Sequence, residues 1–181
     1  MREIEIKASV ADVDKLIDRI EGLGAKLSDS VYQKDDVFTR GDKIGGVGSV
    51  FVRVRQETKN GVSKSIFTLK KMVNGHGDKI ECETEISDPE NMLRAIAEMN
   101  FKPYTTIAKT RRETKIGEYS ICVDEVENLG SFVEFERLVH ENADHDQIVD
   151  DLWAFADQLG VNCDNAVSKG YDVLLAEKVK D

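Results

Sequence analysis

The sequence contains few of the residues that mark specialised protein classes. Its 181 residues include only three cysteines, Cys82, Cys122 and Cys163, and only two prolines. An odd number of widely separated cysteines argues against a disulfide framework or a zinc finger. No apolar run approaches the roughly 20 residues of a membrane helix, and no signal segment opens the chain. We therefore expect a cytoplasmic protein without a membrane span.

Basic residues are outnumbered by acidic ones. The chain has 25 basic and 35 acidic residues, which gives a formal net charge of −10. This balance disfavours general binding to nucleic acid or to anionic membranes, although it leaves room for a local basic cavity. The length and the 40% hydrophobic content suit one soluble domain with a sizeable core.

Two further motif classes are weakly represented. The glycine-rich stretch 41–49 is expected to form a mobile loop, and it lacks the Gly-Lys-Ser/Thr ending of a phosphate-binding P-loop. The histidines, His76, His140 and His145, have no metal-ligand spacing, and His76 is expected in a loop.

Hydrophobic periodicity predicts four helices and eight strands. The helices run from about Val13 to Leu23, from Pro89 to Met99, from Asp144 to Leu159, and onward from about Ser168. The strands cover roughly residues 2–8, 31–39, 48–57, 63–71, 79–86, 105–115, 118–125 and 131–139. Because the connections are short, antiparallel pairing is favoured.

Charged residues alternate along these strands and are sorted by sign. Successive strands carry Glu3, Glu5 and Lys7; Arg53 and Arg55; Lys70; Glu81, Glu83 and Glu85; Lys109 and Arg111; Asp124; and Glu134 and Glu136. For a single strand, a solvated face is the ordinary explanation. A face that is merely solvated tends to mix charges, however, whereas these strands separate them.

The sorted charges suit two kinds of ligand. Carboxylates on neighbouring strands suit a hard cation such as Mg²⁺ or Mn²⁺. Arginine and lysine suit a polyphosphate, because arginine binds its oxygens in pairs and lysine acts as a point charge. Both sets together suggest a sheet curled into a barrel with a charged interior and helices on its apolar outer face.

The order of these motifs resembles the CYTH superfamily, the triphosphate tunnel metalloenzymes, and within it the class IV adenylate cyclases. The matching segments are Glu3-Ile4-Glu5-Ile6-Lys7, Lys34 to Phe38, Val52 to Arg55, Phe67 to Lys70, Lys79 to Glu85, Lys109 to Arg111, Val123 to Glu136 and Tyr171 to Leu175. They extend over almost the whole chain. Lys79 departs from the family pattern, which has arginine there; it keeps the charge but loses the paired hydrogen bonds.

The resemblance implies a single α+β domain over residues 1–181, built as an eight-stranded antiparallel tunnel with a charged interior and helices outside. It implies that Arg53, Arg55, Lys70, Lys79, Lys109 and Arg111 bind a triphosphate, and that Glu3, Glu5, Glu134 and Glu136 hold Mg²⁺ or Mn²⁺. Asp124 and Lys7 are the implied catalytic residues, with the role of Lys7 open. Glu81, Glu83 and Glu85 are further tunnel acids.

The implied function is an enzyme that acts on a small triphosphate. The first hypothesis is a class IV adenylate cyclase, which converts ATP to cyclic AMP and pyrophosphate. The alternative is a triphosphatase that hydrolyses inorganic triphosphate, thiamine triphosphate or a nucleoside triphosphate, because the fold hosts both reactions on similar residues. A binding module without turnover is a further alternative. A homodimer formed through exposed strand edges near the N-terminus is also considered.

Overall fold

The computed structural model describes residues 2–41, 44, 46–74 and 77–178. His76 and part of the stretch 41–49 lie outside the described residues. Within these ranges, no helix has both the length and the apolar character needed to cross a membrane.

The described residues form eight strands and four helices, close to the predicted positions. The strands are β1 (Arg2–Ser9), β2 (Val31–Thr39), β3 (Val50–Lys59), β4 (Val62–Met72), β5 (Asp78–Ile86), β6 (Lys102–Ile116), β7 (Tyr119–Val126) and β8 (Gly130–Val139). The helices are α1 (Val13–Gly22), α2 (Pro89–Glu98), α3 (His145–Gln158) and α4 (Tyr171–Lys178), with a short 3₁₀ turn at Cys163–Asn165.

Local sequence signals explain where several elements begin and end. The side chains of Asp12, Asp88 and Asp144 accept hydrogen bonds from the first free backbone N–H groups of α1, α2 and α3. The β3–β4 hairpin turns at Asn60 and Gly61, whose φ angles of 50° and 78° are those that a tight two-residue turn requires.

The strands close into an antiparallel barrel in the order β1-β5-β4-β3-β2-β6-β7-β8. The predicted tunnel fold is therefore confirmed. Strand β1 pairs along its length with β8 on one side, and on the other side with β5 at Glu3 and Ile4. Beyond that short seam, Gly77 accepts a backbone hydrogen bond from Glu5 N at 2.7 Å, and Val167 N donates to Lys7 O at 2.8 Å.

This pairing corrects one expectation. Both edges of the N-terminal strand are occupied by β5, β8 and the segment around Ala166, which bridges to Ala8. The edge pairing that was considered for a homodimer is therefore taken up within the chain, and a homodimer stays a prediction without that basis.

The apolar outer face of the barrel carries most of the core. Helices α1 and α3 cover β1, β7 and β8, where Ile4, Phe135 and Leu152 are fully buried. Helix α2 covers β3 through Ile96. Helix α4 does not cover the outer face. Its Tyr171 packs against apolar residues of the inward face, which also carries the charged side chains. It therefore lies at one end of the tunnel.

Candidate active site

The barrel encloses a cavity of about 480 Å³, within the size range of small-molecule sites. The strands bring most of the predicted site residues to its wall: Glu3, Glu5, Lys7, Arg53, Arg55, Lys70, Lys79, Glu81, Glu83, Lys109, Arg111, Glu134 and Glu136. Two predicted residues lie elsewhere. Glu85 is exposed near the end of β5 and does not line the cavity, and Asp124 is buried behind the wall at 1% exposure.

Arg53 and Arg55 share one buried carboxylate, that of Asp35. Arg55 Nε and Nη2 donate to its two oxygens at 2.7 and 2.8 Å, and Arg53 Nη1 lies 3.5 Å away. Burial alone would raise the pKa of Asp35, but the Arg55 hydrogen bonds and the charge of Arg53 hold it well below its usual range. Within the described residues, the buried Arg53 Nε has no hydrogen-bond acceptor, so this arginine has bonding capacity left for a ligand.

Sequence reasoning missed Asp35 as a site residue. A signal was present, because Asp35 and Val37 fall on the same face of β2 by their spacing of two, and both line the cavity. Its neighbour Asp36 points to the opposite face and accepts a hydrogen bond from Thr106 Oγ1.

Lys70 and Lys79 are paired with acids across the β4–β5 and β1–β5 seams. Lys70 Nζ donates to Glu81 at 2.6 Å, and Lys79 Nζ lies 3.2 Å from Glu3 and also contacts Glu5. Burial would raise the pKa of Glu81, but the two lysines hold it at about 2. The charges of Lys70 and Lys79 are therefore balanced by carboxyl groups of the cavity wall.

On the opposite wall, Asp124 binds two cations. Lys109 Nζ donates to it at 2.9 Å, and Arg111 donates from Nε and Nη2 at 2.7 and 2.6 Å. Burial, together with the neighbouring Arg111, lowers the pKa of Lys109 to about 8. Because its oxygens are occupied and it is buried, Asp124 orients Lys109 and Arg111 and does not reach the cavity.

Three acids form the strongest candidate for a metal site. Ligand oxygens of Glu3, Glu5 and Glu136 all lie within 4.8 Å of one another. Burial, and next the charge of Glu3, raise the pKa of Glu136 to about 8. Carboxylate oxygens this close repel one another unless a cation or a proton lies among them. In this structure the Lys79 ammonium contacts Glu3 and Glu5, and the raised pKa of Glu136 favours its protonated form. The same three carboxyl groups are the oxygen ligands that a hard divalent cation takes, so the set fits such an ion.

Glu134, the fourth predicted ligand, is placed differently. Its carboxylate contacts Lys7 Nζ at 3.0 Å and also Arg111 Nη2. Burial would lower the pKa of Lys7, but Glu134 and Glu5 raise it instead. Lys7 therefore keeps its proton and is suited to binding charge, not to accepting a proton.

The cavity becomes apolar at the end where α4 lies. Four inward-facing apolar residues lie at that end, each two positions along its strand from a charged cavity residue: Val37 from Asp35, Phe51 from Arg53, Met72 from Lys70 and Ile107 from Lys109. These four apolar residues pack together with Tyr171. Strands β4, β3, β2 and β6 are consecutive and antiparallel, so all four changes occur toward the same end. The acidic cluster lies toward the other end, since Glu136 and Glu3 extend away from Lys7 and its partner Glu134.

Comparison with known proteins places this architecture in context. The profile of the CYTH domain matches residues 1–171. A protein of Methanocaldococcus jannaschii, named "putative adenylate cyclase", is 27% identical over 173 residues, which cover 94% of this chain and 97% of that protein.

Two solved structures extend the comparison. The PH1012 protein of Pyrococcus horikoshii is 26% identical, with a TM-score of 0.79 over 95% of this chain and 98% of that one. A Hippeastrum protein, described as a "putative adenylyl cyclase" with a dominant triphosphatase activity, has a TM-score of 0.63 at 17% identity, over 99% of this chain and 96% of that one. The last likeness shows the shared fold alone.

Proposed function

Because this chain belongs to the CYTH domain family, we propose that it is a divalent-metal-dependent enzyme that breaks a phosphoanhydride bond of a triphosphate. One observation carries the proposal. A single cavity holds cations on facing walls, including Arg53, Lys70 and Arg111, next to the acidic cluster of Glu3, Glu5 and Glu136. Phosphoryl chemistry needs mainly positioning and charge neutralisation, and this cavity provides groups for both.

Each part of the site has a distinct task in this proposal. Arg53, Lys70 and Lys79 exchange their carboxylate partners for phosphate oxygens when the substrate enters. Asp124 keeps Lys109 and Arg111 turned toward the phosphate chain. Mg²⁺ or Mn²⁺ held by the acidic cluster would supply Lewis-acid stabilisation of the charge that develops on phosphate oxygens.

For the reaction itself, we propose that of a class IV adenylate cyclase. The apolar end formed by Val37, Phe51, Met72 and Ile107 suits a nucleobase, which inorganic triphosphate lacks. The 3′-oxygen of ATP would attack the α-phosphorus, lose its proton, and displace pyrophosphate to leave cyclic AMP. The name given to the Methanocaldococcus jannaschii relative agrees with this reaction.

A triphosphatase is the second candidate, and a different observation favours it. With the base at the apolar end, the α-phosphate would lie nearest to α4 and the terminal phosphate nearest to Glu3 and Glu136. Glu3, Glu5 and Glu136, which would hold the metal ion, would then be the carboxyl groups nearest to the terminal phosphate. Attack of water on the terminal phosphorus would break its bond to the bridging oxygen and release orthophosphate. The activity described for the Hippeastrum neighbour is of this kind.

Product analysis distinguishes the candidates. Purified protein is incubated with Mg²⁺ or Mn²⁺ and, separately, with ATP, inorganic triphosphate and thiamine triphosphate. Cyclic AMP with an equal amount of pyrophosphate identifies a cyclase, whereas orthophosphate identifies a triphosphatase. Binding without any product would overturn the enzyme proposal and leave a triphosphate-binding module.

A further inference from the structure

Tyr171 connects the charged wall of the cavity to its apolar end. It is the first residue of α4 and is only 6% exposed. Its ring lies 5.1 Å from the ring of Phe132, within the apolar cluster. The same ring also contacts two charged groups: Lys7 Nζ lies 4.3 Å and Lys109 Nζ 5.1 Å from the ring centroid.

The two lysines come from strands that do not pair. Lys7 is on β1, between β5 and β8, while Lys109 is on β6, between β2 and β7. Strand register therefore does not set the spacing between their ammonium groups, and lysine stems are long and flexible. An aromatic face within about 6 Å attracts an ammonium ion, so the Tyr171 ring gives both lysines a shared position.

The hydroxyl of Tyr171 adds a second constraint. It donates a hydrogen bond to Asp124 Oδ2 at 3.1 Å, the oxygen that also accepts from Lys109. Burial raises the pKa of Tyr171 well above its usual value, and Glu134 and Asp124 raise it further. The hydroxyl therefore stays protonated and remains a donor.

We propose that Tyr171 is a positioning residue, which sets the spacing of Lys7 and Lys109 and fixes the Asp124 carboxylate, so that these cations are arranged for a triphosphate before it binds. The inference rests on the proposed function, because it concerns the same cavity. Its physical basis is preorganisation, since cations already in place lose less conformational freedom when the ligand arrives.

Three variants separate the ring, the hydroxyl and the packing of α4. Tyr171→Phe keeps the ring and removes the hydroxyl, whereas Tyr171→Leu removes both but remains apolar. Leu175→Ala is the matched control, because Leu175 anchors α4 in the same apolar cluster and lies outside the cavity lining. Each variant is first compared with the parent by thermal unfolding.

The main measurement is the affinity for inorganic triphosphate, by calorimetry in metal-free buffer. We expect a loss of about threefold for Tyr171→Phe and of about tenfold for Tyr171→Leu, the latter because both cation–π contacts are lost together with the hydroxyl. Leu175→Ala should lower the unfolding temperature while its affinity stays within about twofold of the parent. If Tyr171→Leu does not fold, the Phe variant decides, because it preserves the packing.

A second readout follows the lysines directly. The ε-methylene NMR signals of Lys7 and Lys109 should carry a ring-current shift that persists in Tyr171→Phe and disappears in Tyr171→Leu. Unchanged triphosphate affinity in both Tyr171 variants would overturn the inference and leave the proposed function standing. An equal loss in Leu175→Ala would also overturn it, since α4 packing alone would then explain the effect. Absence of triphosphate binding by the parent protein would overturn both.

Discussion

Replacing Asp35 by asparagine tests the buried charge pairing on which the site is built. Asp35 is 2% exposed and receives two hydrogen bonds from Arg55, at 2.7 and 2.8 Å. Removing its charge leaves Arg55 and Arg53 without their shared counter-ion. Breaking a buried pair costs about 3–5 kcal/mol, and asparagine keeps one acceptor, so we expect the free energy of unfolding to fall by about 3 kcal/mol.

Thermal unfolding measures this loss. In a domain of this size, 1 kcal/mol corresponds to about 2–4 °C, so the unfolding temperature should fall by about 6–12 °C. The matched control is Asp36→Asn on the same strand, where the carboxylate faces outward and accepts one hydrogen bond from Thr106. That change should cost no more than about 1 kcal/mol.

Low pH and inorganic triphosphate should each change the difference in stability between the parent and Asp35→Asn. The pKa of Asp35 is lowered in the folded protein, so its contribution is present above its unfolded pKa of about 3.9 and is lost as the pH falls toward the folded value. The gap between parent and variant should therefore narrow below about pH 4. Inorganic triphosphate should raise the unfolding temperature of Asp35→Asn more than that of the parent, because it replaces the missing counter-ion. Equal stability of the two asparagine variants at pH 7 would refute this account of the cationic wall.

Three other perturbations test other parts of the site. Glu136→Gln should raise the unfolding temperature of the metal-free protein, by a margin that grows as the pH rises from about 4.3, the usual pKa of a glutamate in an unfolded chain, to about 8, the pKa of Glu136 in the folded protein, and that stays constant above it. The variant should also lose the stabilisation by added Mg²⁺; a lower unfolding temperature together with unchanged stabilisation by Mg²⁺ would exclude the metal site. Gly77→Ala would bring a Cβ into collision with the backbone oxygen of Glu5, at a φ of +81°. Because Glu5 belongs to the acidic cluster, this variant should weaken Mg²⁺ binding measured by calorimetry. Gly61→Ala is the control, since it has open space at a φ of +78° and should cost only about 1 kcal/mol of stability. Triphosphate affinity should fall as the pH rises above 8, because Lys109 loses its proton with a pKa of about 8, and this fall should be absent in Lys109→Met; a pH-independent parent would contradict it.

The alternation of charge in the sequence predicted the direction of each side chain, because a strand has a period of two. The alternation could not predict which inward-facing side chains reach the cavity. Glu81 and Glu85 occupy the same face of β5, yet only Glu81 lines the cavity, since β5 continues beyond the start of β1, which pairs with it only at Lys79 and Asp78. Asp124 likewise faces inward but is covered by Lys109 and Arg111.

The roles of other site residues depend on contacts between segments that are far apart in the sequence. Glu134 and Glu136 look equivalent in sequence, but Glu134 meets Lys7 and Arg111, whereas Glu136 meets Glu3 and Glu5. Their roles depend on the register of β1 against β8, which local pattern does not specify. Tyr171 was marked in the sequence only as part of the last predicted helix and of the matching segment Tyr171 to Leu175, and its polar contacts depend on where α4 docks.

The most direct test of the central claim is phosphorus NMR of ATP mixed with the purified protein and Mg²⁺. We predict that the ATP signals are replaced by those of pyrophosphate and cyclic AMP, or by ADP and orthophosphate if the triphosphatase reaction holds. Excess EDTA should stop the change, and Glu136→Gln should slow it at least about tenfold, which corresponds to about 1.4 kcal/mol of transition-state stabilisation. Signals that stay unchanged, in position and intensity, for ATP and, in parallel samples, for inorganic triphosphate and thiamine triphosphate would contradict the assignment of this barrel as a metal-dependent triphosphate site.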